Sequence, residues 1–221
     1  MKEAVKFMKI DYSITKSQRK TFVLFLVLAV VLMFINDGMV SFTAAYLSFG
    51  AVTLATGPFG VENFRNMHFM CLLPASTKSR VKGRFLYALA YQLIAFAVSA
   101  FLGVVQCMRY SNRAGITDEF FQFILLFPVI MTGISLLIVG FEYTLLYAVG
   151  VRKSAQNMKV ICMLPGLLMF ALGSFAGEEL AEAGASVSLP ALAAISMVVG
   201  ILSLFLFFEI SVYILAHRDS I

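Results

Sequence analysis

The sequence of 221 residues contains no tryptophan, few prolines and histidines, and only 13% charged residues. Soluble domains carry about 25% charged residues, so this shortage argues against a soluble enzyme, a disordered tail and a nucleic-acid-binding module. Cys71, Cys107 and Cys162 are scattered and form no C-x-x-C motif, which excludes both a cysteine metal site and a disulfide framework. The two histidines, His68 and His217, lie outside the long apolar stretches, so a metal-dependent membrane hydrolase would lack its ligands.

Apolar residues are abundant instead: they make up 61% of the chain, and the mean hydropathy is +0.91. A helix needs about 20 apolar residues to cross the hydrocarbon core of a bilayer. Six stretches of roughly this length predict membrane-spanning helices, at residues 21–37, 39–58, 85–107, 120–147, 160–176 and 189–216. We therefore expect an all-α polytopic membrane protein with six transmembrane helices.

The distribution of basic residues predicts the orientation. All of the 17 lysines and arginines except Arg109 and Arg113 lie on one predicted side, in the N-terminal segment, the second and fourth loops and the C-terminal tail. Basic residues in short loops remain in the cytoplasm, so both termini are expected to be cytoplasmic. The net charge of +5 is thus attributed to topology and lipid headgroups, and a nucleic-acid partner is not expected.

Residues 1–20 precede the first span and have the pattern of an amphipathic interfacial helix. On a helical projection, the lysines of this segment share one sector, whereas Phe7, Ile10 and Ile14 share another. Asp11 breaks the pattern because it projects among the apolar positions. Two interpretations remain open: Asp11 meets water in a loosely wound segment, or it pairs with a basic or helix-end group of the membrane bundle. Residues 21–221 form a single membrane domain in either case.

The segment 59–84, between the second and third predicted spans, contains a short apolar run at residues 67–73. This run is too short to cross a membrane, and Pro74 ends any helix that it forms. Ser76 is well placed to cap a new helix that leads into the third span. A short helix with an apolar face is typical of docking elements for a cytoplasmic partner. An interfacial helix that touches only lipid is the alternative.

The sequence LLPASTKSRVKGRFL at residues 72–86 resembles a signature of small, six-span type-2 ABC exporter permeases of the bacitracin and peptide-toxin exporter kind. In these families the stretch reads approximately L-P-(V/I)-S-R-K-x-(I/V)-V-x-(G/S)-K-(Y/F)-L. The matching residues are Leu73, Pro74, Ser76, Lys78, Val81, Gly83, Phe85 and Leu86. Thr77 stands where arginine is common, and Arg84 stands where lysine is common.

The resemblance implies a permease in a bacterial cytoplasmic membrane, with segment 59–84 carrying a coupling helix that docks on a separate ATP-binding subunit. Two such subunits would bind ATP and Mg²⁺ and would act with two permease chains, as a homodimer or pseudo-dimer. The sequence contains no G-x-x-x-x-G-K-[ST] phosphate loop, so no cofactor is expected on this chain. The implied docking residues are Phe64, Met67, His68, Met70, Cys71, Leu72, Leu73, Pro74, Ser76, Lys78 and Arg80.

Two carboxylates, Glu142 and Glu209, lie inside predicted spans. A charge at the bilayer centre costs about 2.5–3.5 kcal/mol on insertion scales, and such residues usually face the interior of a bundle. Both are therefore candidates for a substrate path. For Glu142 the alternative is a carboxylate that reaches the interface, and for Glu209 it is a structural contact between two helices or a protonated side chain.

Small residues inside the spans predict close helix approach. Gly133 and Gly140 are seven residues apart in the fourth span, and Gly173 and Gly177 have a small-xxx-small spacing in the fifth. Packing within the chain and packing across a dimer both explain these spacings.

Together these features predict an ATP-driven exporter subunit, without enzyme activity of its own, for an amphipathic or hydrophobic substrate such as a peptide, drug or lipid-like molecule. The alternatives are an ATP-independent secondary transporter or channel, and an immunity permease against an antimicrobial peptide. An intramembrane protease is disfavoured, because Glu178 and Glu179 lack the arginine and histidine partners of the paired-glutamate motif.

Overall fold

The computed structural model describes residues 2–35, 40–65, 76–110, 118–149 and 188–218, and all regular secondary structure within these ranges is α-helical. The helices are α1 (Lys2–Ile14), α2 (Gln18–Ile35), α3 (Val40–Ala55), α4 (Gly57–Arg65), α5 (Thr77–Tyr110), α6 (Asp118–Val149) and α7 (Leu189–Arg218). The predicted fifth span, at residues 160–176, lies outside the described residues.

Four stretches of these helices are long and apolar enough to cross a membrane. They are Phe42–Val61, Thr77–Arg109, Phe121–Val149 and Leu189–His217. Helices α1 and α2 pass the same test together, but the chain bends by 82° between them. The prediction of an all-helical, multi-pass membrane protein is thereby confirmed, whereas the count of six spans and the orientation of the termini remain predictions.

The N-terminal helix ends earlier than the sequence suggests, whereas α5 begins directly after the predicted cap at Ser76. The N-terminal helix ends at Ile14 rather than near residue 20, and the hydroxyl group of Thr15 donates to the carbonyl oxygen of Asp11 (2.7 Å). Helix α5 begins at Thr77, eight residues before the predicted span. Its first turn is capped as predicted, because the backbone N–H of Ser79 donates to Oγ of Ser76 (3.3 Å).

Helices α2 and α3 pack against each other through aromatic side chains. Phe25 of α2 stacks near Tyr46 and Phe49 of α3, with ring centroids 5.1 and 6.2 Å apart. Helix α3 in turn contacts both α5 and α6. One apolar core joins α3 to α7 through residues from each of these helices: Val52, Phe59, Val81, Phe85, Val139, Tyr143 and Leu204.

Helices α6 and α7 run parallel and approach each other at glycines. A Cβ atom on Gly133 would lie 2.9 Å from the backbone nitrogen of Met197, and one on Gly140 would lie 2.7 Å from Cδ2 of Phe207. Thr144 continues the contact, since its hydroxyl group is 3.2 Å from that of Ser211. Gly133 and Gly140 therefore serve packing within the chain. In a chain with six spans, the fourth and sixth spans cross the membrane in the same direction. The six-span prediction therefore also requires these two helices to be parallel.

The outer surface of the bundle is strongly apolar. Most of the apolar length of α7 is exposed, including Val198, Leu202, Phe205 and Leu206. In a bilayer such a surface meets lipid or another membrane chain, so it needs no water-facing polar groups.

Candidate functional site: a buried polar junction

The N-terminal helix uses one face to pack against the start of α5. Its buried residues, Ala4, Phe7, Asp11 and Thr15, are spaced by three or four positions, as one side of a helix requires. Gly83 of α5 permits the contact, because a Cβ atom there would lie 2.9 Å from the carbonyl oxygen of Ala4 and would overlap Cβ of Phe7. The buried face of α1 therefore rests on protein.

Asp11, the residue that broke the amphipathic pattern, is fully buried in this contact. Its Oδ2 atom is 3.8 Å from Nε of Arg84, whose side chain is only 5% exposed. One turn further along each helix, the hydroxyl groups of Thr15 and Tyr87 are 2.9 Å apart. The sequence left open whether Asp11 meets water or pairs with a group of the membrane bundle. In the structure it forms the ion pair with the bundle.

Arg84 also contacts the opposite end of segment 59–84. Its Cζ atom lies 4.2 Å from the centre of the Phe59 ring, within the range of a cation–π interaction. The ring of Tyr143 lies edge-on to Phe59 and to Phe85, with centroid distances of 5.1 Å in both pairs. Aromatic packing thus joins both ends of the segment to α6.

The hydroxyl group of Tyr143 extends this contact to the backbone. It donates to the carbonyl oxygen of Ala55 (2.6 Å), at the end of α3, and lies 3.5 Å from the carbonyl oxygen of Arg84. Four helices therefore meet at one buried group of polar side chains. We call this group the polar junction, and it comprises Asp11, Thr15, Arg84, Tyr87 and Tyr143.

The predicted docking residues lie around and beyond this junction. Ser76, Lys78 and Arg80 belong to the cap and first turn of α5, and Phe64 belongs to α4. Residues 67–74, which include the rest of the predicted docking set, lie outside the described residues. Ser79, next to Lys78, donates to a carboxylate oxygen of Glu3 (3.1 Å), which adds a further polar contact between the N-terminal helix and α5.

The two carboxylates predicted inside the spans have opposite environments. Glu209 is 62% exposed and forms an ion pair with Lys78 (3.3 Å), which links α7 to the start of α5. Glu142 is 0% exposed, and its two oxygens have no hydrogen-bond partner among the described residues. Glu142 therefore does not reach the interface as a solvated side chain.

Sequence reasoning identified Asp11 but missed its partners. Arg84 was noted only as a departure from the family pattern, and Tyr87 and Tyr143 were not selected at all. The sequence does contain one indication of these partners: Arg84, Tyr87 and Tyr143 carry cationic or hydroxyl side chains near the basic ends of otherwise apolar spans. Sequence spacing alone does not show that they converge, because they come from separate helices.

Comparison with known families places this site in a wider context. A protein-family model described as ABC-2 family transporter protein matches residues 8–216 of the chain. The match extends from the middle of α1 to the last turns of α7, and it therefore includes the whole polar junction. No match was found among curated proteins or among solved structures.

Proposed function

The chain belongs to the ABC-2 family of transporter proteins, and we propose that it is the permease subunit of an ATP-driven exporter in a bacterial cytoplasmic membrane. Membrane proteins of this family generally act with an ATP-binding subunit. Two such subunits would bind ATP and Mg²⁺, and two permease chains, identical or related, would form the path. The cargo is an amphipathic or hydrophobic molecule such as a peptide, a drug or a lipid-like compound.

The main structural support for this proposal is that the two ends of segment 59–84 contact each other, which closes the base of the segment. Phe59 and Arg84, the end residues of the segment, contact each other, and Tyr143 holds both ends against α6. A segment with such a base does not hinge freely, because its two ends are packed against the same helix. A push on the segment would therefore move α3, α5 and α6 as a unit.

The polar junction extends this coupling to the N-terminal helix. Asp11 pairs with Arg84, so α1 would follow any displacement of the start of α5. Closure of the ATPase dimer would press on the segment, and the displaced spans would open a path towards the outside. In this mechanism the permease binds no nucleotide and contributes the path and the docking surface.

Affinity purification tests the docking assignment. Met70→Asp and Leu72→Asp place a charge on the apolar part of the segment, and each is expected to reduce recovery of the ATP-binding subunit at least tenfold, equivalent to about 1.4 kcal/mol. Val5→Asp is the matched control, because Val5 is an exposed apolar residue of α1 outside the segment. Full recovery of the ATPase by both segment variants would show that docking occurs elsewhere.

A secondary transporter or channel is the second candidate, and one observation favours it. The buried carboxylate of Glu142 has no hydrogen-bond partner among the described residues, and intramembrane carboxylates are common in ion-coupled transporters. This candidate predicts a monodisperse chain that purifies without an ATPase and transports without ATP. An immunity permease would share the ATP-driven mechanism and would differ only in protecting its own host.

A further inference from the structure

Buried polar side chains on α5 recur at intervals of seven residues. Gln92, Ser99 and Gln106 are at most 6% exposed, and residues two turns apart lie on the same helix face, about 10 Å from each other. Helix α6 repeats the spacing with Ser135 and Glu142, which are both fully buried. We call these five residues the polar stripe.

Contacts between α5 and α6 bring the stripe into one line. The hydroxyl group of Ser135 donates to the amide oxygen of Gln92 (2.7 Å), and Tyr143 meets Arg84 nearer the junction, so the two helices run antiparallel. Glu142 therefore lies about 10 Å from Gln92 in the direction of the polar junction, whereas Ser99 lies about 10 Å from Gln92 in the opposite direction. The whole stripe is about 30 Å long, which matches the thickness of the hydrocarbon core.

Several polar atoms of the stripe have no hydrogen-bond partner within the described part of the chain. The Nε2 atom of Gln92, the Oε1 atom of Gln106 and both carboxylate oxygens of Glu142 have no hydrogen bond to the described residues. A buried polar group without a partner costs about 1–3 kcal/mol, and a charged one costs more. Four such atoms along the stripe indicate that the same kind of ligand, one that forms hydrogen bonds, binds at each of these positions.

A cavity lies at the end of the stripe that is farthest from the polar junction. Residues of α2, α3 and α5 line it; most of the lining is apolar, and Thr43, Ser99 and Gln106 supply the polar atoms. The amide nitrogen of Gln106 donates to the carbonyl oxygen of Met33 (3.3 Å), which also lines the cavity. The space is about the size of one water molecule, and the hydrogen-bonding groups beside it are the partners that an internal water requires.

We propose that the polar stripe is a hydrated track, in which water binds beside Gln106 and continues past Ser99 and Gln92 to Glu142. The ligand is water, whose donor and acceptor groups match the amide, hydroxyl and carboxylate atoms of the stripe. Water bound there supplies Glu142 with hydrogen bonds inside the bundle. This site is separate from the docking segment, so it holds whether or not the chain binds an ATPase.

Radiolytic footprinting of the full chain in lipid nanodiscs tests the proposal, because hydroxyl radicals formed from bound water oxidise neighbouring side chains. Met33 and Met131 are equally buried, each 1% exposed. Met33 lines the cavity, whereas Met131 does not; it packs in an apolar cluster with Ala44, Ala45 and Phe127, of which only Ala44 reaches the cavity. We expect Met33 to be oxidised several-fold faster than Met131, and equal rates would overturn the proposal.

A substitution gives an independent measurement. In a hydrated track, Gln106→Leu removes a water ligand, so Met33 oxidation should fall towards the Met131 rate. In a dry bundle the same change removes an amide whose oxygen is unpaired among the described residues but whose nitrogen bonds Met33, so Met33 oxidation should stay as it is in the unsubstituted chain. The comparison of Met33 with Met131 in the unsubstituted chain decides the question even if the Gln106→Leu variant does not fold.

Discussion

Arg84 is the residue on which most contacts of the junction converge. Its guanidinium group meets Asp11 of α1 and the ring of Phe59 at the other end of segment 59–84, and its carbonyl oxygen faces Tyr143 of α6. A lysine, which is common at the equivalent position of the resembled permeases, has a compact ammonium group that does not stack on a ring in this way. Arginine at this position thus serves the ion pair and the aromatic contact together.

Breaking this ion pair should destabilise the bundle. Asp11→Asn leaves the buried guanidinium of Arg84 without its countercharge, and we expect a loss of roughly 3–5 kcal/mol in the free energy of unfolding. The double variant Asp11→Asn with Arg84→Gln should recover part of that loss, because no charge then remains buried. Denaturant unfolding of the purified chain measures both, and Lys9→Gln, on the exposed face of α1, is the neutral control. A strictly additive double variant would contradict the pairing.

Glu209 calls for a different test, because its ion pair with Lys78 is more than half exposed. We expect Glu209→Gln to change the free energy of unfolding by no more than about 1 kcal/mol. If Glu209 lines the path, this variant should transport a cationic amphiphile more slowly and a neutral one normally. Lys78→Gln breaks the same pair but keeps the carboxylate; because Lys78 also belongs to the predicted docking set, the comparison is the ratio of cationic to neutral transport, which this variant should leave unchanged. Equal effects of both substitutions would assign Glu209 to helix contact alone.

At the scale of helices, α6 and α7 depend on glycine for their approach. A Cβ atom on Gly133 would meet the backbone of Ser196 and Met197, which has little freedom to shift, whereas one on Gly103 would meet Ile124 at 3.2 Å. Gly133→Ala should therefore cost about 1–3 kcal/mol of stability through overpacking. Gly103→Ala should cost less, and thermal unfolding of the two variants side by side provides the comparison. A smaller loss for Gly133→Ala than for Gly103→Ala would be inconsistent with this packing.

A designed disulfide tests the parallel direction of the same two helices. A Cβ atom on Gly140 would lie 3.2 Å from that of Phe207, close to the 3.5–4.5 Å typical of disulfides. After replacement of Cys71, Cys107 and Cys162, Gly140→Cys with Phe207→Cys should form an intrachain bond, visible as a mobility shift that reductant abolishes. Gly140→Cys with Val199→Cys is the mismatched control, because Val199 lies two turns away along α7. Bond formation in the control alone would refute the parallel alignment.

For the molecule as a whole, the sequence predicts the helices better than it predicts their contacts. Five of the predicted spans correspond to α2, α3, α5, α6 and α7, because long apolar runs are a local property of the chain. The remaining predicted span, at residues 160–176, falls outside the described residues. The end of the N-terminal helix shifted because a turn begins at Thr15, whereas the helix start after Ser76 is as predicted.

The site was only partly predictable for the same reason. Asp11 was recognisable as a carboxylate out of place, since its position conflicts with the local pattern. Its partner Arg84 lies on another helix, and nothing in the spacing of either segment specifies that they meet. The contrast between buried Glu142 and exposed Glu209 was also unpredictable, because it depends on which faces of α6 and α7 pack inwards.

The bend between α1 and α2 has a consequence for the order of synthesis. Thr15 and its hydroxyl partner Tyr87 are 72 residues apart, so α1 leaves the ribosome well before the helix that will cover Asp11. Until then we expect the 82° bend to let α1 lie along the membrane surface, with the carboxylate hydrated while α2 inserts. The charge enters the bundle only when Arg84 arrives to neutralise it, and docking of α1 then marks a nascent chain whose first three hydrophobic helices are in place.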